Sequence, residues 1–352
     1  MTRRFGRARP EGLWGAVALL ALLVLTPVAD RVLRPDPSST SVQSADSPSV
    51  SADPSVGRPR GTAPGTRLDF DGDGIADQAV VRHESGQLVW YLRPSSGASI
   101  SFTFGLTGDL PVPADYDGDG TTEPAVWRAD GPGAPQFFIR EDEEVRSVAF
   151  GQRGDDPTVT ADYDGDGVDD IAVYRDGYGF LPSVFYHLSS GDGSVHSVPF
   201  GLEGDVPVRG DFDGDGIDDQ TVARPEGDAL IHYTLRSSDG AVDRTVWGLP
   251  TDQVVPGDYD GDGRSDHMIV RADGRQLVWW RYDGGSGTSV PWGQIGDRPV
   301  VADYDGDGID DIAVWRPDTG QYLVLPSAGG ARTDGPWGLP SDEPIGSVRP
   351  HG

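Results

Sequence analysis

The chain has 352 residues with 57 acidic and 28 basic side chains, a formal net charge of −29, and no cysteine. This charge argues against nucleic acid as a partner, because phosphate backbones are bound by basic surfaces. The lack of cysteine excludes disulfides, thiolate metal sites and a cysteine nucleophile.

The first two segments predict export. Residues 1–12 carry four arginines and form a basic tail, and residues 13–29 are an apolar run, a pairing typical of an export signal. At about 1.5 Å rise per residue the run is just long enough to span a bilayer. A retained single-span anchor is favoured because Pro27 occupies the small-residue position of the best cleavage site, and a cleaved signal peptide is the alternative. The protein is therefore predicted to be a cell-surface protein with a cytoplasmic N-terminus, or a secreted one.

Residues 30–66 are rich in Pro, Ser and Asp and show no apolar periodicity. A segment of this composition cannot bury enough apolar surface to offset the entropy of ordering it. We predict a disordered linker between the membrane segment and the rest of the chain.

A nine-residue acidic loop then recurs six times, beginning with DFDGDGIAD at Asp69. Its six starting residues lie 46, 47, 49, 47 and 45 residues apart: Asp69, Asp115, Asp162, Asp211, Asp258 and Asp303. Each loop is followed by three short runs of β-branched and aromatic residues separated by turn residues, and the third run ends in an aromatic–Gly pair. A GD-x-PV-like stretch then leads into the next loop.

This pattern predicts an all-β protein, a β-propeller of six blades with four antiparallel strands each, over residues 67–348. Seven blades are the alternative. The chain enters at a loop with almost no preceding strand and leaves with an extra copy of that strand at residues 342–348, so the last strand is expected to complete the first blade. Residues 349–352 are a short tail.

The acidic loops predict calcium sites, up to six ions in all. Carboxylates at alternating positions, with glycines that permit a tight turn, form an all-oxygen cage that suits Ca²⁺ better than Zn²⁺ or Mg²⁺. An EF-hand is ruled out because the twelfth residue is Val or Ile and the flanks alternate as strands. The predicted ligands are the side chains at positions one, three, five and nine and the backbone carbonyl at position seven: Asp69, Asp71, Asp73, Ile75 and Asp77; Asp115, Asp117, Asp119, Thr121 and Glu123; Asp162, Asp164, Asp166, Val168 and Asp170; Asp211, Asp213, Asp215, Ile217 and Asp219; Asp258, Asp260, Asp262, Arg264 and Asp266; Asp303, Asp305, Asp307, Ile309 and Asp311.

The aromatic–Gly pairs and the D-x-D-G-D-G-x-x-D loops resemble the FG-GAP or VCBS-like repeat, which is also found in integrin α-subunits. This resemblance implies a propeller with Ca²⁺ between the first two strands of each blade, and an adhesive or carbohydrate-binding role. The chain departs from the family pattern in having three Trp-Gly pairs, GD-x-P in place of GAP, and Glu123 at the end of the second loop.

Two features outside the loops are candidates for contacts. A ring of six arginines ends the first long strand of each unit, and we interpret it as ion pairs with acids such as Asp109 or Asp297, the alternative being an anion- or sugar-binding ring: Arg82, Arg128, Arg175, Arg224, Arg271 and Arg316. The third unit is the longest, and Tyr178 and Phe180 in its extra segment are candidate ligand-binding residues.

The motifs of serine hydrolases, zinc proteases and P-loop enzymes are absent from the sequence. We therefore expect a binding or adhesion module for an extracellular protein or carbohydrate ligand, without enzymatic activity. The alternatives are a propeller enzyme acting on polysaccharide, as a lyase or hydrolase, and a passive structural head on a membrane stalk.

Overall fold

The computed structural model describes residues 67–131, 133–141, 144–285 and 287–347, and all regular structure in these ranges is β-strand. The predicted basic tail, apolar run and linker before residue 67 lie outside the described residues, as do Val348 and the C-terminal tail. No helix able to cross a membrane is found in the part of the chain that is described.

The strands in chain order are β1 (Gln78–Glu84), β2 (Gln87–Arg93), β3 (Ile100–Leu106), β4 (Leu110–Pro111), β5 (Ala125–Arg128), β6 (Gln136–Glu141), β7 (Glu144–Ala149), β8 (Ile171–Arg175), β9 (Val184–Leu188), β10 (Val195–Pro199), β11 (Val206–Val208), β12 (Gln220–Glu226), β13 (Ala229–Leu235), β14 (Val242–Val246), β15 (Gln253–Val254), β16 (Met268–Asp273), β17 (Gln276–Arg281), β18 (Thr288–Gln294), β19 (Arg298–Pro299), β20 (Ile312–Arg316), β21 (Gln321–Leu325), β22 (Arg332–Thr333) and β23 (Glu343–Pro344).

These strands form six antiparallel sheets, which confirms the predicted six-bladed propeller. The sheet orders are β23-β1-β2-β3, β4-β5-β6-β7, β10-β9-β8, β11-β12-β13-β14, β15-β16-β17-β18 and β19-β20-β21-β22. The third sheet has three strands rather than four. Its innermost strand is reduced to one isolated antiparallel bridge between Asp156 and Tyr174.

The first blade is completed by the last strand, as the sequence predicted. Strand β23 pairs with β1 through Val80–Pro344 and Val81–Glu343, and Ile345 N–H donates to the carbonyl of Ala79 at 2.9 Å. The ring therefore closes by backbone pairing between the two ends of the propeller, and the inner edge of the first blade is covered.

The core lies between neighbouring blades. The first long strand of each blade is buried on both faces and is an apolar run. The second long strand alternates between buried and partly exposed residues, as in β2. Four tryptophans on these strands are buried (Trp90, Trp127, Trp279 and Trp315), and the indole N–H of Trp90 and Trp279 donates to the carbonyl of the aromatic residue before glycine, at 2.8 and 2.9 Å. Through these hydrogen bonds, the outermost strand of a blade, which carries the aromatic–Gly pair, is bonded to a core tryptophan.

The six-arginine ring forms ion pairs in every blade, and the ion-pair interpretation is confirmed. Each guanidinium donates two hydrogen bonds, at 2.5–2.9 Å, to the aspartate of the GD-x-P-like stretch of the same blade, which reads TDQV at Asp252 and SDEP at Asp342. The pairs are Arg82–Asp342, Arg128–Asp109, Arg175–Asp155, Arg224–Asp205, Arg271–Asp252 and Arg316–Asp297. The same aspartates accept the N–H that follows the aromatic–Gly turn, as with Leu106 N–H and Asp109 at 2.8 Å.

We predict that Asp342→Ala destabilises the propeller by about 2 kcal/mol, because it leaves Arg82 without its bidentate partner and Leu339 N–H without an acceptor. The measurement is the urea-unfolding free energy of the full chain. The exposed Asp318→Ala on the last blade is the matched control and should change it by less than about 0.5 kcal/mol. Equal values for the two variants would contradict a closing role for the Arg82–Asp342 pair.

Candidate metal centres

The six acidic loops form a closed ring. In each loop the backbone N–H at position eight donates to the carbonyl oxygen at position one of the preceding loop, at 2.6–2.8 Å. The bonds are Thr122 to Asp69, Asp169 to Asp115, Asp218 to Asp162, Ser265 to Asp211, Asp310 to Asp258 and, closing the ring, Ala76 to Asp303. Every loop is thereby held in one position relative to its two neighbours.

The glycine at position four makes this close approach possible. Gly165 has a φ of +78° and lies under the side chain of Ile217, position seven of the next loop, which would be 2.9 Å from an added Cβ. The same contact recurs around the ring, closing with Gly306 under Ile75. Side chains at position seven, whose carbonyls we predicted as ligands, thus also pack between loops.

The aspartate at position one organises its own loop. In the third loop Asp162 accepts the N–H of Gly165 at 2.6 Å through Oδ1 and that of Gly167 at 2.8 Å through Oδ2. The five other loops repeat this pair of bonds at 2.6–3.0 Å. Both oxygens of the first carboxylate are therefore engaged by backbone amides, which fixes the turn.

The carboxylate at position nine lies at the buried end of the loop. In the third loop Asp170 accepts the N–H of Tyr163 through one oxygen at 3.1 Å and that of Ser190 through the other at 2.7 Å. Five of the six groups at this position are at most 6% exposed: Asp77, Glu123, Asp170, Asp219 and Asp311.

Burial sets the protonation of these groups. Loss of hydration raises the pKa of Asp77 and Glu123 to about 7, and repulsion from neighbouring carboxylates of the loop adds to the effect. Loss of hydration also raises the pKa values of Asp170, Asp219 and Asp311, to about 6. In the absence of a cation, the folded state holds these protons more tightly than the unfolded chain.

A serine cap covers four of the loops and was not predicted. Ser190 donates its hydroxyl to Asp166 at 3.0 Å, and Ser237 and Ser238 donate theirs to Asp215 and Asp213 at 2.9 and 2.6 Å. Equivalent serines follow β2 in the first blade and β21 in the sixth, where Ser95 and Ser327 donate their hydroxyls to Asp73 and Asp307. The repeated P-S-S, L-S-S, R-S-S and L-P-S ends of the second runs were the available signal.

The donor set fits a hard cation. In each of the first four loops the carboxylates at positions one, three and nine offer oxygens that lie within 4.8 Å of one another. Asp213 Oδ1 and Asp305 Oδ1, both at position three, are buried oxygens without a hydrogen-bond partner. A buried carboxylate oxygen that accepts nothing needs a compensating group, and an oxygen-liganded cation is one. These acidic clusters could therefore bind metal ions.

The fifth loop has a different arrangement. Arg281, at the end of β17, places Nη1 2.6 Å from Asp260 Oδ2 and 3.3 Å from Asp266 Oδ2. The acidic triad in this loop is Asp258, Asp260 and Asp262, so the residue at position nine is not part of it.

The two predicted ligand-binding residues lie outside the ring of loops. Tyr178 is 80% exposed and Phe180 is fully exposed, in the segment between β8 and β9, and Leu181 beside them is also exposed. Strand β8 runs from the acidic loop to Arg175 and on into this segment, so the aromatic tip lies at the end of the blade opposite to the loop.

The innermost strands surround a central cavity of about 280 Å³. Arg67 and Arg209, each two residues before the first aspartate of its loop, line it from opposite blades, and repulsion by Arg209 lowers the pKa of Arg67. Arg209 lies 3.7 Å from Asp169. The cavity walls are otherwise mostly proline, valine and threonine.

The family comparison matches two parts of the chain. A family described as "FG-GAP-like repeat" matches residues 69–126 and 258–314, and both matches begin at the first aspartate of an acidic loop. No curated protein matches the sequence. The two matched regions, together with the six antiparallel blades, support an FG-GAP repeat propeller.

A solved structure shares the fold at low sequence identity. TolB from Acinetobacter baumannii is 14% identical, with a TM-score of 0.52, over 80% of this chain and 65% of the TolB chain. The chain thus spans less than two thirds of that structure. A streptogramin B lyase is 11% identical, with a TM-score of 0.42, over 79% of this chain and 88% of the other.

The raised carboxyl pKa values predict an unusual pH dependence without metal. Because the folded pKa values are about 6–7 and the reference value of Asp is 3.8, protonation stabilises the metal-free fold, and this stabilisation is lost as the pH rises from about 4 to 7. A shift of two units corresponds to about 2.7 kcal/mol for each group. In EDTA we therefore expect a melting temperature that falls between pH 5 and pH 7.5.

In 5 mM CaCl₂ we expect the opposite, a melting temperature that rises between pH 5 and pH 7.5, because protons compete with the ion for the same oxygens. The measurement is a thermal melt followed by circular dichroism at matched ionic strength. A melt that is unchanged by EDTA at pH 7.5 would contradict a stabilising cation in the loops.

The packing between loops is tested by two glycines of one loop. Gly165→Ala and Gly167→Ala both place a side chain at positive φ, which costs about 1 kcal/mol. Only Gly165→Ala also meets Ile217, so it should cost about 1–3 kcal/mol more than Gly167→Ala, whose Cβ has no neighbour within 4 Å. Equal unfolding free energies would show that the loops do not depend on this contact.

Proposed function

We propose that this FG-GAP repeat propeller is an extracytoplasmic, calcium-stabilised binding or adhesion module, and that it contacts a protein or carbohydrate ligand through the aromatic tip of its third blade. The observation that carries the proposal is the exposure of Tyr178, Phe180 and Leu181 together on one blade. A contact surface is expected where the blades differ, whereas the acidic loops recur in all six.

The tip is held in place at its base. Gly177 N–H donates to Ser183 Oγ at 2.8 Å, Gly179 N–H donates to Glu203 Oε2 at 3.0 Å, and Tyr178 and Leu181 form an antiparallel bridge. Ordered exposure of aromatic and aliphatic side chains reduces the entropy lost on binding. Aromatic faces of this kind stack on sugar rings or enter pockets of a protein partner.

The corresponding turn is shorter or lacks aromatic residues in the other blades. Strands β1 and β2 are joined by two residues, as are β12 and β13, and β16 and β17. The turn between β5 and β6 is also long, but its residues 129–135 contain no aromatic side chain. A surface-exposed aromatic cluster at this position is thus specific to the third blade among the described residues.

Calcium is proposed as the stabilising ion of the loops. The ligands would be the carboxylates at positions one, three, five and nine and the backbone carbonyl at position seven, of which positions one, three and nine lie close together in the first four loops. When bound, the ion supplies positive charge to a group of carboxylates that otherwise repel one another. The protein itself orients the ligands. Glycine amides hold the carboxylate at position one, and serine hydroxyls bond the carboxylates at position five of the third and fourth loops.

The proposed location follows from the apolar run at residues 13–29 and the Pro/Ser-rich linker at residues 30–66. The run would anchor the protein in the membrane or direct its secretion, and the linker would carry the propeller away from the bilayer. Free calcium outside cells is high enough to occupy sites with dissociation constants of about 10⁻⁴ to 10⁻³ M.

The ligand proposal is tested with glycan and cell-surface protein arrays probed with the full chain. The double variant Tyr178→Ser and Phe180→Ser should weaken binding at least tenfold, corresponding to about 1.4 kcal/mol or more. Val195→Ala, an exposed residue on the outer strand of the same blade, is the matched control and should bind as the wild type does.

Binding by the double variant at wild-type strength would overturn the role of the tip. Because the tip lies opposite the acidic loops, EDTA should leave binding unchanged at temperatures below the metal-free melt. Release of reducing ends from a bound polysaccharide would instead support the alternative of a polysaccharide-cleaving enzyme.

A further inference from the structure

The fifth blade differs from the others at one residue beside its acidic loop. In every blade the two long strands pair in the same register. The second residue after each acidic loop therefore faces an equivalent residue on the second long strand, and these six facing residues can be compared across the ring. In blade order these residues are Leu92, Ile139, His187, Thr234, Arg281 and Val324. Only the fifth carries a fixed positive charge.

That charge lies among the loop carboxylates. A single nitrogen, Nη1 of Arg281, is 2.6 Å from Asp260 at position three and 3.3 Å from Asp266 at position nine. The Arg281 side chain is 22% exposed. The guanidinium therefore bridges two of the three positions whose carboxylates converge in the first four loops.

Two further observations separate this loop from the fourth. In the fourth loop Asp213 at position three keeps a buried oxygen without a hydrogen-bond partner, whereas Asp260 in the fifth accepts from Arg281. Ser237, which caps the fourth loop, corresponds in register to Gly284 in the fifth. The fifth loop thus has a glycine where the fourth has its capping serine, and Arg281 contacts its carboxylates from three residues earlier in the chain.

We propose that Arg281 is the built-in counter-ion of the fifth loop, so that this loop takes up no calcium while its neighbours do. A divalent ion between Asp260 and Asp266 would lie in contact with the guanidinium. The repulsion between the two positive charges at such a distance is larger than the binding energy of a weak extracellular calcium site. The inference rests on the proposed calcium loading of the other loops.

The test counts ions with calcium alone as the probe. The full chain, purified in detergent, is stripped with EDTA and loaded in CaCl₂, and bound calcium per chain is measured by equilibrium dialysis. Arg281→Gln should hold one ion more than the wild type. Arg275→Gln, an exposed arginine on the same blade, is the matched control and should hold the same number as the wild type.

A second pair of variants keeps the test independent of how well Arg281→Gln folds. Asp213→Asn should lower the count by one, and Asp260→Asn at the same loop position should leave it unchanged. Six ions on the wild type, no gain in a folded Arg281→Gln, or a loss of one ion in Asp260→Asn would each overturn the inference. A wild-type count of zero would instead overturn the calcium proposal and, with it, this inference.

Discussion

The structure depends on the ring of six hydrogen bonds that joins each acidic loop to the one before it. Through these bonds a loop is fixed by its neighbours as well as by its own aspartate at position one. The glycine at position four is required because a neighbouring side chain, such as Ile217 over Gly165, occupies the space of a Cβ. This contact between loops restricts position four to glycine, which recurs in all six copies.

Much of this could be predicted from the sequence because it repeats. The period of about 47 residues gives the blade, six copies give the ring, and the surplus strand after Asp342 gives the closure. The pairing of Arg128 with Asp109 and of Arg316 with Asp297 also follows from residues that recur at fixed spacing. Because the repeat occurs six times in one chain, its copies can be compared with one another, which a single motif would not allow.

The rest depends on contacts that spacing does not encode. Arg281 reads in the sequence like any arginine at a strand end, and only the register of β17 shows that it faces the loop rather than solvent. The serines after the second run are visible in the sequence, but the carboxylates that they bond depend on where the chain turns. The inner strand of the third blade is shortened at Asp156, whose carboxylate accepts the N–H of Thr158, a residue that stands where the other five blades have Val or Ile.

The closure of the first blade by the last strand sets the order in which the chain can fold. Arg82 at the end of β1 and Asp342 are 260 residues apart, and the native partner of the inner edge of β1 is not available until the end of the propeller has been synthesised. Contacts of such long sequence separation are slow to form, because loop-closure entropy must be overcome first. The first blade to emerge is therefore the last to mature, and its inner edge stays open to wrong partners throughout synthesis.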